Sequence, residues 1–438
     1  MRSHVIATLV VLFAAGRLSA QPSTLRVTLD EAVARAVESS HRLAEGRARQ
    51  QAAEATIEAR RRSDDPTLTA LAGYTRTNHI DEFGVPQPDG RLRVIYPDIP
   101  DNYRSRVELV WPVYTAGKTD ALERAARAEA TATGADLAAA RLDLRLEVAR
   151  AYWALVTARE TVRVLEQALA TADGSLDDVR ARVDAGLLPP NDVSRSLAQH
   201  ARSELLLVEA RGRIELVSID LARLMGLTAP VAIDPAEALD GGSGVAADAA
   251  ALVIEAMSAR PELAALQQRS DGITARLDAI ATWRKPMVSV ASGYDVAHPN
   301  PRIFPRQSKW DDSFDISLNV VWQIWDSGRA VADRTEALAN QTVLRERKSE
   351  VESQIQADVR KQLVELATSR AALSPARLAL ASAQETRRVV RDRFEAGVGT
   401  TLDLLDAELA EMQAELDRTR VLADIRLNEA RLTRVLGR

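Results

Sequence analysis

Residues 111-WPVYTAGK-118 recur 211 positions later as 322-WQIWDSGR-329, and 183-VDAGLLPPNDV-193 recurs at the same offset as 394-FEAGVGTTLDL-404. A direct repeat over this span indicates one structural unit of roughly 200 residues that is present twice. Upstream the offset becomes 220, since Pro66 matches Pro286. The nine-residue difference in offset predicts a loop that tolerates insertion. Each copy is interpreted as helix, strand, variable loop, strand, helix, turn and helix.

Two stretches that are poor in proline predict very long helices. Residues 116–185 contain no proline, and residues 326–396 contain only Pro375. Both are rich in Ala, Arg, Glu and Leu, which favour helix. Each stretch predicts a helix of about 70 residues, or about 105 Å, with apolar residues at the spacing of a coiled coil. Four flanking segments of about half that length are also predicted to be helical: 28–63, 190–225, 247–285 and 401–436.

Twelve of the 17 aromatic residues lie in two short windows of the chain. In the second window, apolar residues alternate with mostly polar ones from Phe314 to Trp325, and the first repeats this phase from Val107 to Val113. This alternation predicts strands with one apolar face, and their length of about 10 residues is typical of membrane-spanning strands. Four strands cannot close a barrel, so we expect several copies to assemble. The aromatic residues predicted to lie at the membrane interface are Tyr74, Trp111, Tyr294 and Trp322.

The first twenty residues predict a cleaved signal peptide. They combine a basic start at Arg2, an apolar run over 5–15 and a small-residue end at Ser19-Ala20. The chain has no cysteine, which excludes disulfides, zinc-thiolate and iron–sulfur sites, and a cysteine that could accept a lipid. Removal of residues 1–20 changes the formal net charge from -5 to -7. This mild acidity argues against a nucleic-acid partner.

The repeat also predicts the domain boundaries. The signal peptide at 1–20 is followed by a first repeat at 21–226, an inter-repeat segment at 227–246 and a second repeat at 247–438. The parts predicted for the first repeat are a β-hairpin at about 66–115, a long helix at about 116–185 and a tip at about 186–192. Those predicted for the second are a β-hairpin at about 286–325, a long helix at about 326–396 and a tip at about 397–403.

Export, four short strands, two very long helices and the duplication together resemble the TolC family of outer-membrane efflux proteins. The most specific motifs are the paired tips and the paired strand-to-helix junctions quoted above, and the resemblance covers essentially the whole mature chain. It implies a mainly α fold with a small membrane β part: a homotrimer whose 12-stranded β-barrel lies in the outer membrane and continues into an α-helical periplasmic tunnel. It further implies a passive exit duct for tripartite efflux or type I secretion. Its partners would be outer-membrane lipid, a periplasmic adaptor (membrane fusion protein) and, through the adaptor, an inner-membrane pump.

The tips carry the predicted site residues. Gly186 and Gly397 are expected to end the long helices, since glycine readily adopts positive φ. Asp192 and Asp403 then fall in the first turn of the returning helix, where the helix dipole stabilises a carboxylate. Capping and function both remain open for each aspartate. The resemblance implies rings of three carboxylates that line a closed periplasmic entrance, formed by Asp192, Asp403 and Asp406, with Phe394 beside them.

The chain departs from the latch of the resembled family at two positions. Phe394 stands where a tyrosine is common, and Gly399 stands where a basic residue can occur. We therefore expect another base to take part, with Arg195, Arg391 and Arg393 as candidates. The resemblance also implies that the adaptor contacts six small or aliphatic tip residues, which are Ala185, Gly186, Leu187, Ala396, Gly397 and Val398.

No catalytic motif is apparent. The histidines His4, His41, His79, His200 and His298 show no metal-ligand spacing, and the chain contains neither GxSxG nor GxxxxGK[ST]. We therefore expect no enzyme activity, no cofactor and no bound metal. The remaining alternatives are the same fold in protein secretion rather than small-molecule efflux, and a periplasmic coiled-coil scaffold without a pore.

Overall fold

The computed structural model describes residues 24–227, 231–240 and 248–438. The predicted signal peptide and parts of the predicted inter-repeat segment lie outside these residues. The described helices are α1 (Leu29–Ser39), α2 (His41–Arg61), α3 (Lys118–Asp184), α4 (Asn191–Leu224), α5 (Ala249–Ala259), α6 (Pro261–Ala281), α7 (Arg329–Glu395) and α8 (Thr401–Val435). The described strands are β1 (Thr24–Val27), β2 (Thr67–Arg76), β3 (Phe83–Pro86), β4 (Leu92–Tyr96), β5 (Asp101–Tyr114), β6 (Ala232–Pro235), β7 (Met287–His298) and β8 (Asp311–Val321). The prediction of a mainly α fold with a small β part is confirmed.

Helices α3 and α7 each run for 67 residues, which corresponds to about 100 Å. Each begins directly after a glycine of positive φ, Gly117 at 81° and Gly328 at 84°. Pro375 lies inside α7 without ending it, although proline removes one backbone hydrogen bond. Helix α7 packs against α8 and α6, and Pro375 itself is exposed.

Two of the predicted half-length helices are interrupted. Between α1 and α2, Ser40 has an extended backbone, and its side chain accepts a hydrogen bond from Leu43 N–H at 3.3 Å. Between α5 and α6, Arg260 is extended because it precedes Pro261, and proline disfavours the helical conformation of the residue before it. Short 3₁₀ turns, Arg62–Asp64 and Thr282–Arg284, then lead from α2 and α6 into the sheet.

The largest buried cluster surrounds the middle of α3. Tyr152 is fully buried there, and its hydroxyl donates to the carbonyl oxygen of Val27 at 3.2 Å. Val27 belongs to β1, which pairs in parallel with β6. Burial raises the pKa of the Tyr152 phenol to about 12. This small sheet was not predicted from the sequence, and it holds the start of the described chain against the centre of the long helix.

Strands β2, β5, β7 and β8 form one antiparallel sheet in that order. Pairing of β5 with β7 joins the two hairpins, and the described residues provide no partner strand for the outer edges of β2 and β8. Strand β8 ends at Val321 rather than at the predicted Trp325, because its partner β7 begins at Met287, opposite Val321. No helix in the described part of the chain is long and apolar enough to cross a bilayer.

Candidate functional site

The two turns that close the long helical hairpins share one geometry. Gly186, between α3 and α4, has a φ of 74°, and Gly397, between α7 and α8, has a φ of 75°. Glycine is favoured at such positions because it has no Cβ to clash in the left-handed region. In both turns the next residue donates its backbone N–H to the last helical turn, from Leu187 to Arg182 at 2.8 Å and from Val398 to Arg393 at 3.0 Å.

The residues predicted to contact an adaptor all lie exposed at these turns. They are Ala185, Gly186, Leu187, Ala396, Gly397 and Val398. The aliphatic side chains of Leu187 and Val398 are 70% and 69% exposed. Contact with an adaptor stays a prediction.

Asp192 lies between the two hairpins rather than at the surface. Its residue is only 7% exposed, and its Oδ2 atom accepts a hydrogen bond from the Thr401 hydroxyl at 2.9 Å. Arg195 approaches the other carboxylate oxygen at 3.6 Å. Asp192 therefore links the start of α4 to the start of α8 within one chain, and little of it is left to line an opening.

Phe394 is 2% exposed and packs with Val179 and Leu404. The guanidinium of Arg182 lies over its ring at 4.6 Å, within the range of a cation–π contact. Arg182 also donates to the carbonyl oxygens of Phe394 and Glu395, at 3.0 Å and 3.3 Å. The structure thus places Phe394 in the packing between the tips and not on a surface that could face a pore.

Asp403 and Asp406 are exposed on α8 and line a groove with Arg393. Asp403 also takes part in the helix cap: its backbone N–H donates to the hydroxyl of the N-cap residue Thr400 at 3.1 Å, and its Oδ2 atom accepts from the Thr400 backbone N–H at 3.3 Å. The Thr400 hydroxyl in turn donates to Asp403 Oδ2 at 2.7 Å, and this hydrogen bond lowers the pKa of the Asp403 carboxyl. The capping and the functional interpretations of Asp403 are therefore compatible, because the capped carboxylate stays charged and exposed.

The sequence departures near the tips have local explanations. A Cβ at Gly399 would lie 3.0 Å from the backbone nitrogen of Phe394, so the tight turn leaves little room for a larger residue. Of the candidate bases, Arg195 pairs with Asp192, Arg391 approaches Asp178 at 3.7 Å, and Arg393 faces the groove. Sequence reasoning did not identify Arg182 or Thr401. In the other repeat, the equivalent of Arg182 is Arg393 and the equivalent of Thr401 is Pro190. The only signal in the sequence was therefore that Thr401 has a hydroxyl where the first repeat has a proline.

Glu408 lies two residues beyond Asp406 on α8, partly buried between the hairpins. The Ser175 hydroxyl donates to its Oε1 atom at 2.5 Å. Burial raises the pKa of the Glu408 carboxyl, although the nearby positive charges of Arg387 and Arg391 oppose this shift. A partly buried carboxylate of this kind makes the packing of the two hairpins sensitive to pH.

The β-sheet at the other end of the long helices has one apolar face. Phe314, Ile316, Leu318 and Val320 of β8 are exposed on that face, which no described layer covers. The residues predicted to lie at the interface all belong to this end of the molecule and are exposed. They are Tyr74 and Tyr294, whose hydroxyls donate to Asp101 and Asp312, and Trp111 and Trp322 near the helices.

Two further aromatic residues extend this group. Tyr103 stacks against Tyr74 with ring centroids 4.9 Å apart, and Trp310 lies 5.8 Å from Tyr103. From Tyr103 to Trp111 is about 27 Å along β5, which is close to the height of the apolar band of membrane barrels. Within the described residues, no group of three or more metal-ligating side chains is suited to hold a metal ion.

Comparison with known proteins identifies relatives along most of the chain. The family model described as "Outer membrane efflux protein" matches residues 32–227 and 252–438. Protein CyaE of Bordetella pertussis is 26% identical over 348 residues, which cover 76% of this chain and 70% of CyaE. The cobalt-zinc-cadmium resistance protein CzcC of Cupriavidus metallidurans is 24% identical over 366 residues, covering 80% of this chain and 81% of CzcC. The open-state crystal structure of the Neisseria gonorrhoeae outer membrane channel MtrE superposes with a TM-score of 0.76 at 20% identity, covering 93% of this chain and 88% of MtrE.

Proposed function

Because the chain belongs to the outer membrane efflux protein family, we propose that it is the passive outer-membrane exit duct of a tripartite efflux or type I secretion system. The predicted family and the TolC-like fold are confirmed, and both are those of channels rather than enzymes. The observation that carries the proposal is an exposed apolar sheet face at one end of helices about 100 Å long, with exposed tips at the other end. An apolar sheet face without a covering layer suits lipid contact.

The sheet edges support a homotrimer. A four-stranded sheet leaves backbone groups unpaired at β2 and β8, and such edges are strongly disfavoured in lipid. Three copies would supply twelve strands, if β8 of one copy pairs with β2 of the next as β5 pairs with β7. The equivalent of a β5 residue in β8 lies 211 positions later, and the equivalent of a β7 residue in β2 lies 220 positions earlier. The observed pair Val107–Tyr294 therefore predicts Leu318 opposite Tyr74 of the neighbouring copy, and the pair Trp111–Val290 predicts Trp322 opposite Ala70. The missing neighbour also explains why β8 ends early in a single chain.

A second surface fits the same assembly. Helix α4 exposes an apolar stripe at helical spacing, and no helix in the described part of a single chain covers it. The stripe consists of Leu197, Leu205, Val208, Leu216 and Ile219. Full burial of a side chain of this kind contributes about 1.5–3 kcal/mol, and covering the exposed part of these side chains contributes a share of that, so a second copy packed on this face would stabilise a helical tunnel.

Asp403 and Asp406 are the residues we assign to a periplasmic constriction. Their carboxylates are exposed in each chain, so three copies would bring six negative charges to the tip, and such rings favour cations. Asp192 and Phe394, by contrast, connect the two hairpins of one chain and would influence opening through packing. The six exposed residues at the turns remain our candidates for the adaptor contact.

The adaptor would connect the duct to an inner-membrane pump that supplies the energy, and the duct itself needs no cofactor. Outer-membrane lipid would surround the sheet, and we expect no nucleic-acid partner. The name of CzcC associates that relative with resistance to cobalt, zinc and cadmium, which makes metal ions one candidate cargo beside other small molecules and polypeptides. A periplasmic scaffold without a pore is disfavoured, because it would leave the apolar sheet face in water.

The decisive experiment is to extract the outer-membrane fraction in mild detergent, then to measure the mass of the purified complex by light scattering and its single-channel conductance in bilayers. We expect a trimer that conducts ions. A protein that is extracted by salt alone, is not trimeric and does not conduct would contradict the duct and favour the scaffold.

A further inference from the structure

The loop after β7 folds back onto the sheet instead of extending away from it. We call residues 299–306 the fold-back segment. Along β7, the residues of one face, Gly293, Asp295 and Ala297, are buried, whereas Tyr294 on the opposite face is exposed. Pro299, Pro301 and Arg306 of the segment line a pocket together with Ala297 and with Arg104 and Arg106 of β5. The segment therefore covers the polar face of the sheet near its outer end.

Polar contacts hold the fold-back segment against β8. Asn300 is 2% exposed, and its side-chain amide donates to the Asp311 carbonyl oxygen at 3.1 Å and to the Ser313 hydroxyl at 3.0 Å. Arg302 donates to the Phe314 carbonyl oxygen at 2.7 Å and forms an ion pair with Asp315 at 2.9 Å. Asp315 lies four residues inside the strand, so the segment reaches about 13 Å along the sheet from its end.

A second set of contacts joins the fold-back segment to the first hairpin. Arg306 donates to the Tyr96 hydroxyl at 2.8 Å and to the Asn102 side-chain oxygen at 3.2 Å. Its guanidinium also lies 5.1 Å from the centre of the Tyr96 ring. The segment is thus held on two sides: Asn300 and Arg302 bind it to β8, and Arg306 binds it to β4 and β5.

Under the segment lies a layer of paired charged side chains. Arg106 forms an ion pair with Asp315 at 2.9 Å and another with Asp295, and Arg104 pairs with Asp295 at 2.6 Å. The Arg106 guanidinium lies directly over Gly293, where any Cβ would overlap it. These ion pairs connect β5, β7 and β8 beneath the segment.

The covered face is the one that would line the duct. Leu318 and Phe314 point to the opposite, apolar face, and barrels in membranes direct that face towards lipid. We propose that the fold-back segment narrows the outer opening of the duct and selects by size the solutes that pass. This inference rests on the proposed function, because only a closed barrel gives the polar face a lumen.

The absence of cysteine from the chain allows a direct test in intact cells that carry the full-length protein. A single cysteine replaces Asn319, which lies exposed on the polar face, four residues beyond Asp315 towards the helices. Membrane-impermeant maleimides, one small and one coupled to a long polyethylene glycol, are added outside the cells. The labelling rate of Asn319→Cys is compared with and without the additional change Arg302→Ala.

We expect the small reagent to label Asn319→Cys in both backgrounds, and the bulky reagent to label it roughly tenfold faster when Arg302→Ala is present, since a charge-assisted hydrogen bond is lost. Arg302→Lys keeps the charge but not the two-point contact and should give an intermediate rate. Arg91→Ala, an exposed arginine in the loop of the first hairpin, is the matched control and should change nothing. Gln87→Cys in the same loop reports exposure of the loops at the cell surface.

Two outcomes would overturn the proposal. One is equal labelling by the bulky reagent with and without Arg302→Ala, including no labelling in either background. The other is labelling of Asn319→Cys by the bulky reagent as fast as that of Gln87→Cys in the otherwise unchanged chain. If Gln87→Cys itself is not labelled and no trimer is recovered, the duct proposal fails as well. If Gln87→Cys is labelled but the labelling rate of Asn319→Cys does not respond to Arg302→Ala, only the proposal for the fold-back segment fails.

Discussion

Asp192 and Asp403 occupy equivalent positions in the two repeats, but their carboxylates have different surroundings. Asp192 is buried against Thr401, whereas Asp403 is exposed and bonded to the Thr400 hydroxyl of its own helix cap. The sequence predicted both residues in the first turn of a helix, which is where they lie. It could not predict the difference in burial, because burial depends on how the two hairpins pack against each other.

The exposed pair is predicted to control ion passage. Replacing Asp403 and Asp406 by Asn should reduce cation preference and change single-channel conductance, because the negative charge that attracts cations is removed from a narrow opening. Reversal potentials across bilayers with a salt gradient measure this preference. Asp333→Asn changes an exposed carboxylate near the start of α7 and serves as the control. Unchanged conductance and selectivity would remove the two aspartates from the constriction.

The raised pKa of Glu408 predicts that the stability of the protein falls as pH rises, whereas a salt-bridged carboxylate makes stability rise with pH. Because burial raises its pKa, the folded protein binds this proton more tightly than the unfolded chain, and stability falls as pH rises from about 4.5 through the raised pKa. Glu408→Gln should therefore raise Tm at pH 7, with a gain that shrinks as pH is lowered below the ordinary pKa. Thermal unfolding of the detergent-solubilised protein at several pH values measures the gain. A constant difference at all pH values would exclude the titration of Glu408 as its cause.

At the scale of elements, helices and strands differ in how well the sequence predicted them. The long helices follow from composition and from glycine at both ends, and α3 and α7 run close to the predicted ranges. The breaks at Ser40 and before Pro261 were visible as an N-cap residue and an X-Pro pair, but the apolar spacing continues through both breaks and concealed them. Strand β8 was predicted too long, because its alternation continues past the point where β7 can pair with it.

The tips yield a prediction at this scale. Leu187→Glu combined with Val398→Glu should abolish binding of the periplasmic adaptor, since a charge replaces each exposed aliphatic contact. Neither side chain is packed within the chain, so the mass of the complex and its conductance should stay unchanged. Co-purification of a cross-linked adaptor measures binding, and Thr342→Glu, at an exposed position of α7 far from the tip, is the control. Retained adaptor binding by the double variant would place the contact elsewhere.

At the scale of the whole molecule, the sequence predicted the duplicated plan but not the contacts between distant segments. The pairing of β1 with β6 joins residues more than 200 positions apart, and four-residue strands carry too short a pattern to be recognised. The fold-back segment was also missed. Its prolines and polar residues are typical of any loop, whereas its position depends on the contacts of Arg302 with Asp315 and of Asn300 with Ser313, which only the folded sheet brings close.

The register proposed between copies is testable by cross-linking. Leu318→Cys and Tyr74→Cys in one chain should form a disulfide between neighbouring copies on mild oxidation, because directly opposed Cβ atoms lie about 4.5–5.5 Å apart. Covalent trimers on a denaturing gel report the bond. Leu318→Cys with Thr75→Cys is the control, since Thr75 points to the other face of the sheet. Equal cross-linking of both pairs, or of neither, would exclude this register.

The two hairpin loops also have a consequence for symmetry. Duplication gives the wall of a trimer six nearly equivalent units, because each chain contributes two similar hairpins. The loops of the two hairpins differ. The loop of the first hairpin contains a small hairpin of its own, β3 and β4, whereas the loop of the second folds back over the sheet. The proposed trimer would therefore be close to sixfold along its wall but strictly threefold at its outer rim, where every second position would project inward. The three fold-back segments could thus select solutes at the rim, while the wall formed by all six hairpins stays unchanged.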